Sequence, residues 1–293
     1  MICSDCPRKC GALRENDTPG GVCRSPSLPV IARAAPHFGE EPCISGTRGS
    51  GTVFFSGCNL RCCFCQNHEI SRGGIGRAVS VERLRDIFLE LQDRGVHNIS
   101  LVTASHFVRA AVKALDMAQL KIPVVWNSSG YDSAETLKML EGRVQIYMPD
   151  MKYILSEPAK LYSAAPDYPE VAKSAIAEMY RQVGDFVLDD DGIMQSGVLI
   201  RHLILPENEE NTLGVIDYVA ETYPGKKVMF SLMSQFTPMA DAGRFPELSH
   251  RVGRIMNARL CDYMTDRGIE YGYTQEVGSS GSEMIPDFDL SGV

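Results

Sequence analysis

The stretch SGCNLRCCFCQN, beginning at Ser56, carries four cysteines within eight residues. Three of them, Cys58, Cys62 and Cys65, have the spacing C-x3-C-x2-C. Thiolates are soft ligands that suit iron–sulfur clusters or zinc. A closed structural site normally takes four protein ligands, and this motif supplies three. Three thiolates leave one metal position open, as catalytic metal sites do for a substrate. Using Cys63 instead would give C-x4-C-x-C, with ligands one residue apart crowding a single cube. Cys63 therefore reads as a packing residue.

A second set opens the chain: Cys3-x2-Cys6-x3-Cys10-x12-Cys23. Its four thiols suffice to close a metal site. A zinc ribbon prefers two C-x2-C knuckles and only one is present, so zinc and an auxiliary [4Fe-4S] cluster stand level on ligand chemistry. Unmetallated, redox-sensing thiols are the third reading. Cys43, between Pro42 and Ile44, reads as packing, and the isolated Cys261 as a buried small hydrophobe.

Ten cysteines in a reducing compartment point to metal or redox chemistry rather than disulfides. The start, MICSDCPRKC, has no apolar stretch that would serve as a secretory signal, and no apolar run approaches the roughly 18 residues of a membrane span. A cytoplasmic protein with no membrane partner is expected. The net charge of -8 argues against nucleic acid, which needs clustered Lys and Arg.

The elements that must position these residues follow from periodicity. Residues 1–50 are rich in Cys, Gly, Pro and charge and lack the apolar content for a core, which predicts a metal-binding arm that docks or is held by metal. From Gly51 onward, short apolar runs alternate with helical stretches. Strands are predicted at 52–57, 98–104, 123–129, 144–150, 198–206 and 228–236. Between them, VSVERLRDIFLELQDRG places Leu84, Ile87, Phe88 and Leu91 on one helix face, with Ser80 as the cap. HFVRAAVKALDMAQ, DSAETLKMLEG, EVAKSAIAEMYRQVG and TLGVIDYVAETYPG read as helices too, with a last helix over about 246–267. Alternating strands and helices imply parallel pairing with right-handed crossovers, in an open sheet or a partial barrel. Ligands then belong at the carboxyl ends of the strands, where the triplet follows the first one. The predicted division is an arm over 1–50, a barrel over 51–277 and a mobile tail, or at most a lid, over 278–293.

The triplet after a first strand, with the aromatic Phe64 before its last cysteine, resembles the radical S-adenosylmethionine (SAM) superfamily. The branch it is most similar to is the pyruvate formate-lyase activating enzyme-like one. The likeness includes CSDCPRKCGALR…GGVCR, HFGEEPCISGTRGSGTVFFSGCNLRCCFCQN, GVHNISLVTASH, PVVWNSSGYDS, IYMPDMKY and GVLIRHLILP, nearly the whole chain. The resemblance implies a partial (β/α)6 TIM-like barrel and a [4Fe-4S] cluster on Cys58, Cys62 and Cys65. It also implies SAM chelated to the fourth iron and cleaved reductively to a 5′-deoxyadenosyl radical that abstracts a substrate hydrogen. An electron donor of flavodoxin or ferredoxin type is expected as a partner.

SAM presents an ammonium, a carboxylate, a ribose diol and an adenine. Asp150 and Lys152, in PDMKY, point to the same side of an extended segment and resemble the family's Asp-x-Lys; a local salt bridge at a strand end is the plainer reading. Phe64 is expected beside the cofactor. Asn127 is suited to the ribose or methionine part. Arg201 suits the carboxylate, or else fills a barrel layer paired with an acid. Many relatives carry Gly-Gly-Glu after the second strand, whereas here the stretch reads LVTASH, and the acidic partner is missing. His106 and His202 suit acid–base or ligand roles, although a lone His is more often structural.

Three functions follow. One is a radical enzyme acting on a small molecule, peptide or modified protein. Another is an activase that installs a glycyl radical on a partner enzyme. The third, of a different class, is a non-catalytic iron–sulfur or zinc protein.

Overall fold

The computed structural model describes residues 2–15, 19–278 and 285–293. Its strands are β1 (Val30–His37), β2 (Ser50–Phe55), β3 (Arg77–Ala78), β4 (Ile99–Val102), β5 (Val124–Ser128), β6 (Ile146–Pro149), β7 (Val187–Leu188), β8 (Met194–Leu203), β9 (Met229–Met233) and β10 (Gly272–Thr274). Its α-helices are α1 (Pro42–Ser45), α2 (His68–Ser71), α3 (Val81–Asp93), α4 (Val108–Ala118), α5 (Ala134–Leu137), α6 (Ser156–Ser163), α7 (Tyr168–Val183), α8 (Glu209–Thr222) and α9 (Arg254–Asp266).

All the strands join one sheet in the order β10-β9-β8-β6-β5-β4-β2-β1-β3, with β7 as a short hairpin partner of β8. The run from β2 to β10 is parallel, and β1 and β3 are antiparallel additions at one edge. The six predicted strands are the six central ones, and the α/β partial barrel is what they build. No helix among the described residues is long and apolar enough to cross a membrane.

Each central strand is buried on both faces, so its side chains divide between two layers. One face, with Trp126, Tyr147, Ile200 and Phe230, packs against the helices in the main core. The other, with Val125, Ile146, Met148, Leu199 and Met229, closes around Cys43 and Ile44 of α1. The expected face of α3 is the buried one: Leu84, Ile87, Phe88 and Leu91 all lie inside, each contributing about 1.5–3 kcal/mol. The Ser80 side chain caps this helix, accepting from Arg83 N at 3.1 Å.

Two predicted boundaries move. Residues 30–50 are not part of a separate arm: β1 pairs with β2 over most of its length, and α1 plugs the barrel floor. Composition hid this because β1, VIARAAPH, carries three alanines and a proline, which are weak strand signals, and shows no alternation of apolar and polar residues. The tail is docked over its last residues. Leu290 N donates to Ala32 O, Ala34 N to Ser291 O, and Phe288 packs edge-on against Phe54. The part of the expected tail at 279–284 lies outside the described residues. The helix α6 was missed, and DSAETLKMLEG shortens to one α turn followed by a 3-10 turn over Lys138–Leu140.

Candidate functional site

The triplet sits on the loop that leaves β2 at the carboxyl ends of the strands. Gly57 makes the turn at φ +84°, and a Cβ there would run into Cys23 O and Ser25 Oγ. Cys58 and Cys65 are half-buried and Cys62 is buried. Each sulfur meets a polar group. Leu60 N donates to Cys58 Sγ (3.4 Å), Ser163 Oγ donates to Cys62 Sγ (3.1 Å), and Cys65 Sγ lies 3.4 Å from Ser71 Oγ. Donors at thiolate sulfurs stabilise negative charge and tune a bound cluster. Burial raises the Cys58 thiol, and the neighbouring Cys62 and Cys65 raise it further. A buried group of thiols that must shed protons together fits a cationic iron core, which removes both penalties at once.

Cys63 is fixed through its backbone: its N–H donates to Tyr162 O and its carbonyl accepts from Asp241 N. Its thiol is buried, and burial pushes it up to about 12. Phe64 is buried and packs edge-on against Phe236, with ring centroids 6.0 Å apart.

Asn127, Asp150, Lys152 and Arg201 come together in one buried ionic network. The parallel register pairs Asp150 with Arg201 directly. Arg201 Nε donates to Asp150 Oδ1 (3.1 Å), one terminal nitrogen to Glu40 Oε2 (2.9 Å), and the other to Asn127 Oδ1 (2.7 Å). Lys152 Nζ donates to Asp150 Oδ2 at 2.5 Å. Burial alone would raise the Asp150 carboxyl, but Lys152 and Arg201 together hold it below the usual carboxylate range. Burial would likewise lower Lys152, yet the charges of Asp150 and Cys62 raise it. Arg201 stands in the lumen as a cation paired with acids.

Glu40 and Glu41 complete the network, and sequence reasoning gave them no role. Asn127 Nδ2 donates to Glu40 Oε1 at 3.0 Å. Glu41 Oε2 lies 3.9 Å from Arg201 and has no hydrogen-bond partner among the described residues. Burial raises both carboxyls, more than Arg201 lowers them. Two acids thus reach the lumen from the loop before α1. The only local signal was two adjacent acids ahead of Pro42.

Two further side chains hold the PDMKY segment. Tyr168 Oη accepts from Lys152 N (2.9 Å) and shares its proton between Asp150 O and Ser129 O. Asn211 takes the next stretch, donating to Lys152 O and accepting from Ile154 N. Gly130, at φ +74°, lets the chain after β5 pass against Asp150 O, where a Cβ would collide.

The two histidines stand outside this network. His202 is buried on the helix side of β8, with Nδ1 2.6 Å from Met151 O and Nε2 3.0 Å from Thr212 Oγ1. His106 Nε2 lies 2.8 Å from Ser56 O. Burial drives both imidazoles down to about 4.

The arm's Cys3, Cys6, Cys10 and Cys23 line one cavity, together with Arg8, Arg14 and His106. Cys6 is raised to about 11 by burial, with Cys23, Cys3 and Cys10 adding to it. Among the described residues, no three His, Cys, Asp or Glu side chains stand close enough to clamp a single metal ion.

The family model of the Radical SAM superfamily matches residues 52–154. That segment contains the triplet, Phe64, Asn127, Asp150 and Lys152. An uncharacterized protein of Methanocaldococcus jannaschii, MJ0674, is 26% identical over 260 residues, 85% of this chain and 70% of the relative. Among solved structures, Streptococcus suis SuiB bound to S-adenosylmethionine aligns with 77% of this chain at 15% identity and a TM-score of 0.46. This chain covers 46% of SuiB, less than half its length. A domain of pyruvate-formate lyase-activating enzyme from Bacteroides vulgatus aligns with 67% of this chain and 91% of that domain, at 13% identity and a TM-score of 0.37.

Proposed function

We propose, from the match of residues 52–154 to the Radical SAM superfamily model, that the chain is an enzyme whose Cys58, Cys62 and Cys65 hold a [4Fe-4S] cluster open at one iron to SAM. When bound, cluster and SAM supply reductive cleavage of the sulfonium and an adenosyl-carbon radical able to take a substrate hydrogen atom. The observation that carries this reading is the triplet itself: three buried or half-buried thiols on one strand-end loop, with donors at their sulfurs and Lys152 in charge interaction with Cys62.

The chain's own residues do the rest. Lys152 offsets the negative charge that thiolates bring into a dry site. Asp150 and Asn127 offer acceptors to the ammonium and hydroxyls of SAM, and Arg201 positions both through its bonds to them. Glu40 anchors Arg201 from the floor, so that the polar groups meet a ligand without reorganising. Phe64, in the apolar wall with Phe236, keeps water from the reacting carbon. The electron comes from an external one-electron donor of flavodoxin or ferredoxin type.

Anaerobic reconstitution followed by reduction with dithionite in the presence of SAM tests this. Formation of 5′-deoxyadenosine and methionine, lost when the three cysteines become alanine, is the expected outcome. A reduced, iron-loaded protein that leaves SAM intact would overturn the reading.

A further inference from the structure

The arm's four thiols line a common void. A zinc ion sits about 2.3 Å from each of its sulfurs, which brings those sulfurs to about 3.8 Å of one another in a tetrahedron. Among the described residues, no three His, Cys, Asp or Glu side chains, the arm cysteines included, are grouped to hold a single metal ion. The void between them also admits a water-sized body. A water's radius added to a sulfur's keeps each sulfur roughly 3 Å or more from such a centre, farther than zinc allows. A cubane puts each thiolate on a separate iron and tolerates this wider ring.

Charge is provided for as well, equally for zinc and for a cubane. A cluster with four thiolate ligands carries net negative charge, and a partly buried one needs cations at hand. Arg14 reaches to 3.8 Å from Cys3 Sγ, and both Arg8 and Arg14 line the void. We propose that Cys3, Cys6, Cys10 and Cys23 hold a second [4Fe-4S] cluster, fully ligated by protein and with no iron open to SAM.

The structure also sets where this centre stands. Cys23 O packs against Gly57, the residue before Cys58. Arg8, between Cys6 and Cys10, donates through Nε to Asn59 O at 2.8 Å, on the other side of Cys58. A second donation from Arg8 goes to the carbonyl of Ser163, whose hydroxyl serves Cys62 Sγ. Cys10 is exposed while Cys6 and Cys23 are buried. The arm centre therefore has one edge at the surface and the other against the triplet loop.

Metal and sulfide analysis of the anaerobically reconstituted full chain tests the assignment without relying on activity. The wild type is expected to hold about eight irons and eight sulfides with no stoichiometric zinc, because each cubane contains four. Cys3→Ala/Cys10→Ala should hold about four irons, and so should Cys58→Ala/Cys62→Ala/Cys65→Ala. The EPR signal of the reduced arm variant should change on adding SAM, and that of the triplet variant should not. One zinc and four irons in the wild type, or an iron count unmoved by the arm substitutions, would sink the proposal. The triplet variant separates the two ideas, since its residual iron reports on the arm alone. Far-UV circular dichroism of Cys3→Ala/Cys10→Ala guards against misfolding: an unchanged spectrum with about four irons supports the proposal, and an unchanged spectrum with about eight contradicts it.

Discussion

The two groups of thiols are held by different physics. Cys58, Cys62 and Cys65 ride on a loop whose neighbours, Leu60, Cys63 and Phe64, are buried in the main core. Cys3, Cys6, Cys10 and Cys23 belong to a segment with little apolar burial, fixed by arginine bonds to backbone carbonyls and by a few turns. Packing thus holds the first site with or without metal, whereas the second depends on what the thiols bind. The difference teaches that a pre-formed sheet end suits a centre that must stay open to a ligand. A closed centre can serve as its own scaffold.

The largest expected effect tests the packed site. Replacing Cys58, Cys62 and Cys65 with alanine should abolish SAM cleavage to background while leaving far-UV circular dichroism and the cooperativity of urea unfolding unchanged. Loss of cooperative unfolding in that variant would mean that metal, not packing, organises the barrel.

Next comes the lumen. Arg201→Met leaves Asp150 and Glu40 buried without their shared cation, and should lower stability in urea by about 3–5 kcal/mol. The iron bound by the arm should not change, because no arm thiol touches this network.

A smaller effect comes from the other face of the same strand. His202 titrates near 4 when folded, below its ordinary 6.5. The unfolded chain therefore binds more protons between these values, and stability falls as pH drops from about 6.5 to 4. The loss attributable to this residue is on the order of 3 kcal/mol. His202→Gln, which keeps a donor and an acceptor in place, should flatten that part of the pH profile in chemical denaturation.

The smallest effect separates arm from barrel. Arg8→Ala removes the bonds to Asn59 O and Ser163 O, worth about 1–3 kcal/mol of docking. Limited proteolysis should then cut within the first 25 or so residues several-fold faster, with the barrel core cut at its former rate. Equal acceleration in both regions would show that the arm supports the whole fold.

Much of this was legible in one dimension. Alternating apolar runs gave the six central strands, because a strand buried on both faces must be apolar throughout. The face of α3 and its Ser80 cap could be read off residue by residue, since both are local. The strand β1 could not be read that way: its alanine-rich sequence becomes a strand because β2 and β3 offer it hydrogen-bonding partners. The C-terminal segment around Leu290 is the same case, pinned by the Ala32 carbonyl and the Ala34 amide of β1, which no local pattern announces.

The sequence by itself determined the spacing of the thiols in each group, because that spacing is a covalent property of the chain. It also determined that Asp150 and Lys152 share a side, because period two is built into extended backbone. Only the tertiary structure decided that Arg201 stands beside Asp150, that Glu40 and Glu41 rise to meet them from the barrel floor, and that the arm's cysteines surround one void next to Cys58. Those juxtapositions join residues far apart along the chain. They follow from register and burial, which many segments must settle together and no single stretch encodes.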